Sequence, residues 1–99
     1  MVTAYIQVKV TPAAIVGYKG IAETISQFRE VKSIYLMSGQ FDLALMVECE
    51  SLREAGLFVA EKLSAIEGVL DISTHFIIER YKEDGELLTE TDERGIYNA

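Results

Sequence analysis

Six periodic segments, arranged in one order, restrict what this chain can become more than any single motif does. Residues 2–10 alternate Ala4, Ile6, Val8 and Val10 with Thr3, Tyr5, Gln7 and Lys9, the period of two that marks a strand with one buried face. "TPAA" follows, with Thr11 suited to a helix N-cap and Pro12 to the first helical position, where a missing N–H costs nothing. Ala14, Tyr18, Ile21, Ile25 and Phe28 then recur at helical spacing as one apolar stripe. Residues 31–38 and 41–49 return to strand character, and only Gly39 and Gln40 lie clearly between them. That spacing predicts a tight hairpin, with Gly39 free to take a positive φ. Ser51 and Glu54 make a capping box for a second helix with the stripe Leu52, Ala55, Val59, Leu63 and Ile66, closed by Gly68 as C-cap. Residues 69–81 read as a long fourth strand.

The order is β-α-β-β-α-β. Right-handed crossovers place both helices on one face of a four-stranded antiparallel sheet, an α+β fold of the ferredoxin-like kind. Residues 1–81 are expected to form this domain, and 82–99 an acidic C-terminal tail carrying Glu83, Asp84, Glu86, Glu90, Asp92 and Glu93 against Lys82 and Arg94. Leu87, Leu88, Ile96 and Tyr97 are the apolar anchors such a tail offers a partner.

Charge excludes one class of function. A net charge of −7 argues against nucleic-acid binding by this chain alone, because that binding draws on Lys and Arg contacts to phosphate. No apolar run approaches the roughly 20 residues that span a bilayer, and "MVTAYIQVKV" lacks the basic start and apolar core of a signal peptide. The single cysteine, Cys49, has no internal partner, so a reducing cytoplasm is the expected location. A chain of 99 residues buries a modest core, which makes oligomerisation an expectation.

The strands assign a second, helix-free sheet face. If Ile6, Val8, Ile34, Leu36, Leu43, Leu45, Val47, Ile72 and Ile78 meet the helices, then Tyr5, Gln7, Lys9, Ser33, Tyr35, Met37, Asp42, Ala44, Met46, Glu48, Ser73, His75 and Ile77 point the other way. A face left in water should be mostly polar; this one is rich in Tyr, Met, Ala and Ile. Two copies packed sheet to sheet would bury it, with Tyr5, Gln7, Tyr35, Met37, Ala44, Met46, His75 and Ile77 in the dimer interface. Alternatively the tail folds back over it, or crosses to a neighbour.

The β-α-β-β-α-β order, the hairpin "SGQFD" with its Gly-x-aromatic-Asp pattern, and "IEGVLDISTHFII" after the second helix together resemble the effector-binding domain of leucine-responsive/AsnC (Lrp/AsnC) transcription regulators, over residues 1 to about 81. That resemblance implies face-to-face dimers assembling into larger rings, with an amino acid or similar small zwitterion held in clefts between dimers. It also implies an N-terminal DNA-binding domain, which this chain is expected to lack, acting instead through mixed assemblies with full-length regulators. The ligand-binding residues it suggests are Met37, Gly39, Gln40, Phe41, Asp42 and Thr74. Backbone N–H groups near Gly39 would take a carboxylate, Asp42 the ammonium, Gln40 a polar side chain, and Phe41 and Met37 an apolar wall. Asp42 can equally serve only to bind amides of its own turn. Thr74 falls on the helix side of the alternation, so either a bulge re-aims it or its hydroxyl is satisfied internally.

No catalytic residue, metal site or cofactor is expected. His75 is the only histidine and Cys49 has no basic neighbours in sequence to activate it. No Cys/His cluster has metal spacing, and Gly17 and Gly20 lack a phosphate-binding pattern. Two other readings stay open: a small dimeric ferredoxin-like barrel enzyme of monooxygenase or isomerase type, with His75, Tyr5 and Tyr35 lining a pocket, and a structural adaptor docking through its tail.

Overall fold

The computed structural model describes residues 1–12, 14 and 16–88. Its elements follow the expected order: β1 (Val2–Val10), α1 (Gly17–Ser26), β2 (Val31–Leu36), β3 (Leu43–Cys49), α2 (Leu52–Leu57) and β4 (Val69–Phe76). The strands form one antiparallel sheet in the order β2-β3-β1-β4. This is the ferredoxin-like α+β fold. Alternation in β1 and β3 does what a period of two requires. Ala4, Ile6, Val8 and Val10, with Leu43, Leu45, Val47 and Cys49, are buried against Ile21 and Ile25 of α1 and Ala55, Phe58 and Leu63 beyond. Each large aliphatic side chain so buried contributes about 1.5–3 kcal/mol.

Several boundaries differ from expectation. Helix α1 starts at Gly17, not at Pro12. Ahead of it, Ala14 N–H donates to Thr11 O and Gly17 N–H to Ala14 O. Gly17 has φ +72°, which sets those two bonds apart from the helix proper. Helix α2 is capped as expected, Glu54 N–H donating to Ser51 Oγ at 3.1 Å, while the Glu54 carboxylate accepts from Glu50 N–H. It then widens into a π-helical stretch, Phe58–Leu63. Phe58, absent from the expected stripe, enters the core there and meets Phe28 edge-on at 5.6 Å between centroids. Strand β4 ends at Phe76 rather than near residue 81, and a short hairpin, β5 (Lys82–Glu83) and β6 (Glu86–Leu87), follows. Leu36 and Ile78, expected beneath the helices, are both exposed: Leu36 lies on the outer edge strand and Ile78 beyond the end of β4. The expected tail anchors Ile96 and Tyr97 lie outside the described residues.

Among the described residues, one carboxylate is buried. Glu30, only 4% exposed, accepts from Lys62 Nζ at 2.8 Å, and Lys62 lies over the Phe28 and Phe58 rings. Burial pushes the Glu30 carboxyl up, but the Lys62 hydrogen bond, its own backbone N–H and the Lys62 and Arg29 charges outweigh it, leaving the group below its ordinary value. A carboxyl lowered in the folded state stabilises above its unfolded value and loses that contribution as pH falls through the folded one. The urea midpoint is therefore expected to drop as pH falls below about 4, and Glu30→Gln should flatten that part of the profile. Parallel profiles for both proteins would rule the pair out as a source of acid sensitivity.

Candidate ligand-binding turn and sheet face

The β2–β3 connection runs over residues 37–42, longer than the expected two-residue hairpin. Met37 N–H donates to Asp42 O at 2.8 Å and closes the loop. Gly39 has φ +112°, and the space where a side chain would stand is open. Met37, Gly39 and Gln40 are exposed, and Phe41 and Asp42 half-buried.

Asp42 joins this loop to β1. Its N–H donates to Val8 O at 3.0 Å, and its Oδ2 accepts from Val10 N–H at 2.8 Å. The last β1–β3 pair is Val8 with Leu43, so Val10 presents its N–H where β3 has already turned away. The carboxylate fills the missing ladder position. The Asp42 carboxylate thus binds a neighbouring strand's backbone rather than the amides of its own turn. Lys9 adds a second tie, its Nζ donating to Gln40 O at 3.0 Å. Sequence alternation only placed Lys9 on a face; its role at the turn depends on the register between strands.

Thr74 does not converge on this loop. It pairs with Ile6, half-buried on the helix side, and its strand lies two strands from β3, about 10 Å across the sheet. The helix-free face does assemble as the alternation predicts. Tyr5 is flanked by Met46 and His75, and Gln7 by Ala44 and Ser73. Tyr35 pairs with Ala44, and Ile77 continues β4 by donating its N–H to Thr3 O. The Tyr5 and His75 rings are 6.1 Å apart, and His75 Nε2 lies 2.9 Å from Ser73 Oγ.

The groups suited to chemistry are not gathered in a cavity. A cavity of about 530 Å³ opens on the helix side between Val16, Ile21, Ile66 and Gly68, away from His75 and the turn. Burial pushes the Cys49 thiol up, with Glu54 and Glu30 adding to the effect, which makes it a poor nucleophile. Among the described residues no cluster of His, Cys, Asp or Glu is placed to hold a metal, and no helix is long and apolar enough to cross a membrane.

With this geometry in place, the chain's likeness to known proteins is specific. The Lrp/AsnC ligand binding domain family matches residues 3–87. The HTH-type transcriptional regulator YugG of Bacillus subtilis is 45% identical over 92 residues, 93% of this chain and 55% of that protein. The chain spans about half the length of the curated relatives it matches, and these are named as transcriptional regulators. Protein PHS023 of Pyrococcus horikoshii superposes with a TM-score of 0.70 at 30% identity, covering 82% of this chain and 94% of that one. The Neisseria meningitidis regulator NMB0573, solved with L-Met, superposes at 0.78 with 23% identity over 89% of this chain and 56% of that one; at that identity the likeness is one of fold. The chain belongs to the Lrp/AsnC ligand-binding domain family.

Proposed function

We propose that this domain holds a small zwitterion, an amino acid in the first instance, at the β2–β3 turn, and does so within an assembly of copies packed through their helix-free faces. The observation that carries the reading is the loop itself: an open glycine corner, exposed backbone and a half-buried carboxylate, in a chain of a ligand-binding family. A zwitterion needs both charges answered. Backbone N–H groups at Gly39 and the Lys9 ammonium beside Gln40 suit its carboxylate, and the Asp42 oxygen not engaged by Val10 suits its ammonium. Met37 and Phe41 supply apolar wall and Gln40 a side-chain amide. A site that also includes Thr74 would take it from a neighbouring copy, since within one chain the two lie apart. The L-Met bound by NMB0573 makes amino acids the first ligands to try.

The domain would report ligand to transcription as a subunit of homo-oligomers or alongside longer regulators of its family, in the cytoplasm, without turnover of the ligand. Binding is favoured over catalysis because the Ser73–His75 pair sits on the sheet face rather than in a pocket.

A thermal-shift series with the twenty amino acids tests this, since a ligand selective for the native state raises its melting temperature. Asp42→Asn is the sharper variant: an amide oxygen still accepts from Val10 N–H, so the fold keeps its tie while the charge is lost. Affinity should fall about thirtyfold, the equivalent of roughly 2 kcal/mol for a charged hydrogen bond. Unaltered affinity in calorimetry would remove Asp42 from the site, and silence from all twenty ligands would remove the amino-acid reading.

A further inference from the structure

The chain's only histidine stands on the helix-free face. His75 is exposed on β4, with Ser73 and Ile77 on either side of it along that face and Tyr5 of β1 directly opposite. Its ring lies 6.1 Å from the Tyr5 ring, and Nε2 is 2.9 Å from Ser73 Oγ. Neither contact requires a charged ring, because a hydroxyl can donate to a bare imidazole nitrogen or accept from an N–H. Beyond Tyr5 the face continues with Met46 of β3. Gln7 and Thr3 flank Tyr5 along β1, Gln7 lying between Ser73 and Ala44.

The charged groups of this face give an imidazolium no partner. On β4, Asp71 is four residues away, about 13 Å along the strand; it faces Lys9, and its Oδ1 accepts from Ile72 N–H. Glu79 is four residues away in the other direction, where the chain has left β4. On β1, Thr3 Oγ1 accepts from Arg80 Nη2 at 2.9 Å, and Arg80 pairs in turn with Glu83. The Met1 ammonium is four residues from Tyr5. On β3, Glu48 lies opposite Thr3, two strand spacings from β4, about 10 Å across the sheet. β4 is an outer strand, so no further strand flanks it. Among the described residues, the ring's one hydrogen-bond partner is Ser73.

We propose that His75 makes the pairing of two copies proton-sensitive: the seam takes the neutral ring, and acid drives the copies apart. This rests on the sheet-to-sheet packing proposed above and adds a control to it. In the single chain, water solvates the exposed ring in either charge state. Covering it among Tyr5, Ile77 and Met46 removes that water and supplies no carboxylate in exchange, which disfavours the charged form. A twofold seam carries two such rings, so the penalty counts twice. The sign follows by linkage. Separated chains take up protons that the paired state excludes, so the dissociation constant rises as pH falls. Histidine is the side chain that ordinarily changes charge near neutral pH, and burial pushes the Cys49 thiol up, away from that range.

Sedimentation at constant ionic strength tests it. From about pH 7.5 to about pH 5.5 the dissociation constant should rise about a hundredfold, tenfold for each of two rings with the usual imidazole midpoint of about 6.5. His75→Gln keeps a polar group beside Ser73 and cannot charge, so its constant should stay level across the range. A level constant for the native chain, or the same rise in His75→Gln, overturns the switch and leaves the seam standing. A native chain that is monomeric at the upper pH overturns both. Far-ultraviolet circular dichroism should match at the two ends, and a loss of signal at the lower pH would make the change one of unfolding and overturn the switch as well.

Discussion

Gly68→Val is expected to lower the unfolding free energy by about 4 kcal/mol. Gly68 has φ +100°, and a Cβ there would stand 2.9 Å from Ile21 Cδ1 and 3.1 Å from Ala14 Cβ. The left-handed backbone alone costs a branched residue roughly 1–2 kcal/mol, and forcing carbons into packed space adds about 1–3. Ile21 can turn its Cδ1 toward the neighbouring cavity only by leaving its place in the core, while Ala14 has no torsion to relieve the contact. The same glycine accepts Thr11 N–H at 2.8 Å, so any shift also disturbs the exit from β1. Urea denaturation measures the loss; Gly68→Ala should show about half of it. A change below 1 kcal/mol for valine would mean that the loop before β4 relaxes freely.

Tyr35→Glu should weaken self-association at least a hundredfold. Tyr35 lies on the helix-free face opposite Ala44, where a seam between two copies would cover it, and twofold symmetry would introduce two carboxylates at once. Desolvating an unpaired charge costs several kcal/mol, and about 2.7 kcal/mol already corresponds to a hundredfold change in the dissociation constant. Light scattering at micromolar concentration should report monomer mass with native circular dichroism. Unaltered mass would mean that the seam lies elsewhere.

What the sequence disclosed and what it hid divide along a physical line. Local periodicity located the strands and the buried set of β1 and β3, because side-chain alternation is a property of the strand itself. The Ser51–Glu54 cap was legible for the same reason: its donor and acceptor are three residues apart. The start of α1 was misplaced because Thr11 and Pro12 carry helix-start signals that Gly17 overrides. The extent of β4 was overestimated because apolar alternation through Ile78 continues after β1 has run out of backbone to pair with. Phe58 was missed since a π-helical stretch does not keep the 3.6-residue period. The candidate turn was visible as Gly39 and Asp42, but the tie from Asp42 to Val10 spans 32 positions and exists only once the register is set. Thr74 shows the converse: its strict alternation placed it on the helix side, and there it lies.

The bond from Val10 to Asp42 has a practical corollary. An amide proton held by one side-chain oxygen, at the last residue of a strand, exchanges with solvent only when that oxygen lets go. Val10 is therefore a natural gauge of the turn: deuterium uptake at this single position, read with and without an added amino acid, records whether the occupant tightens the clasp or competes for it.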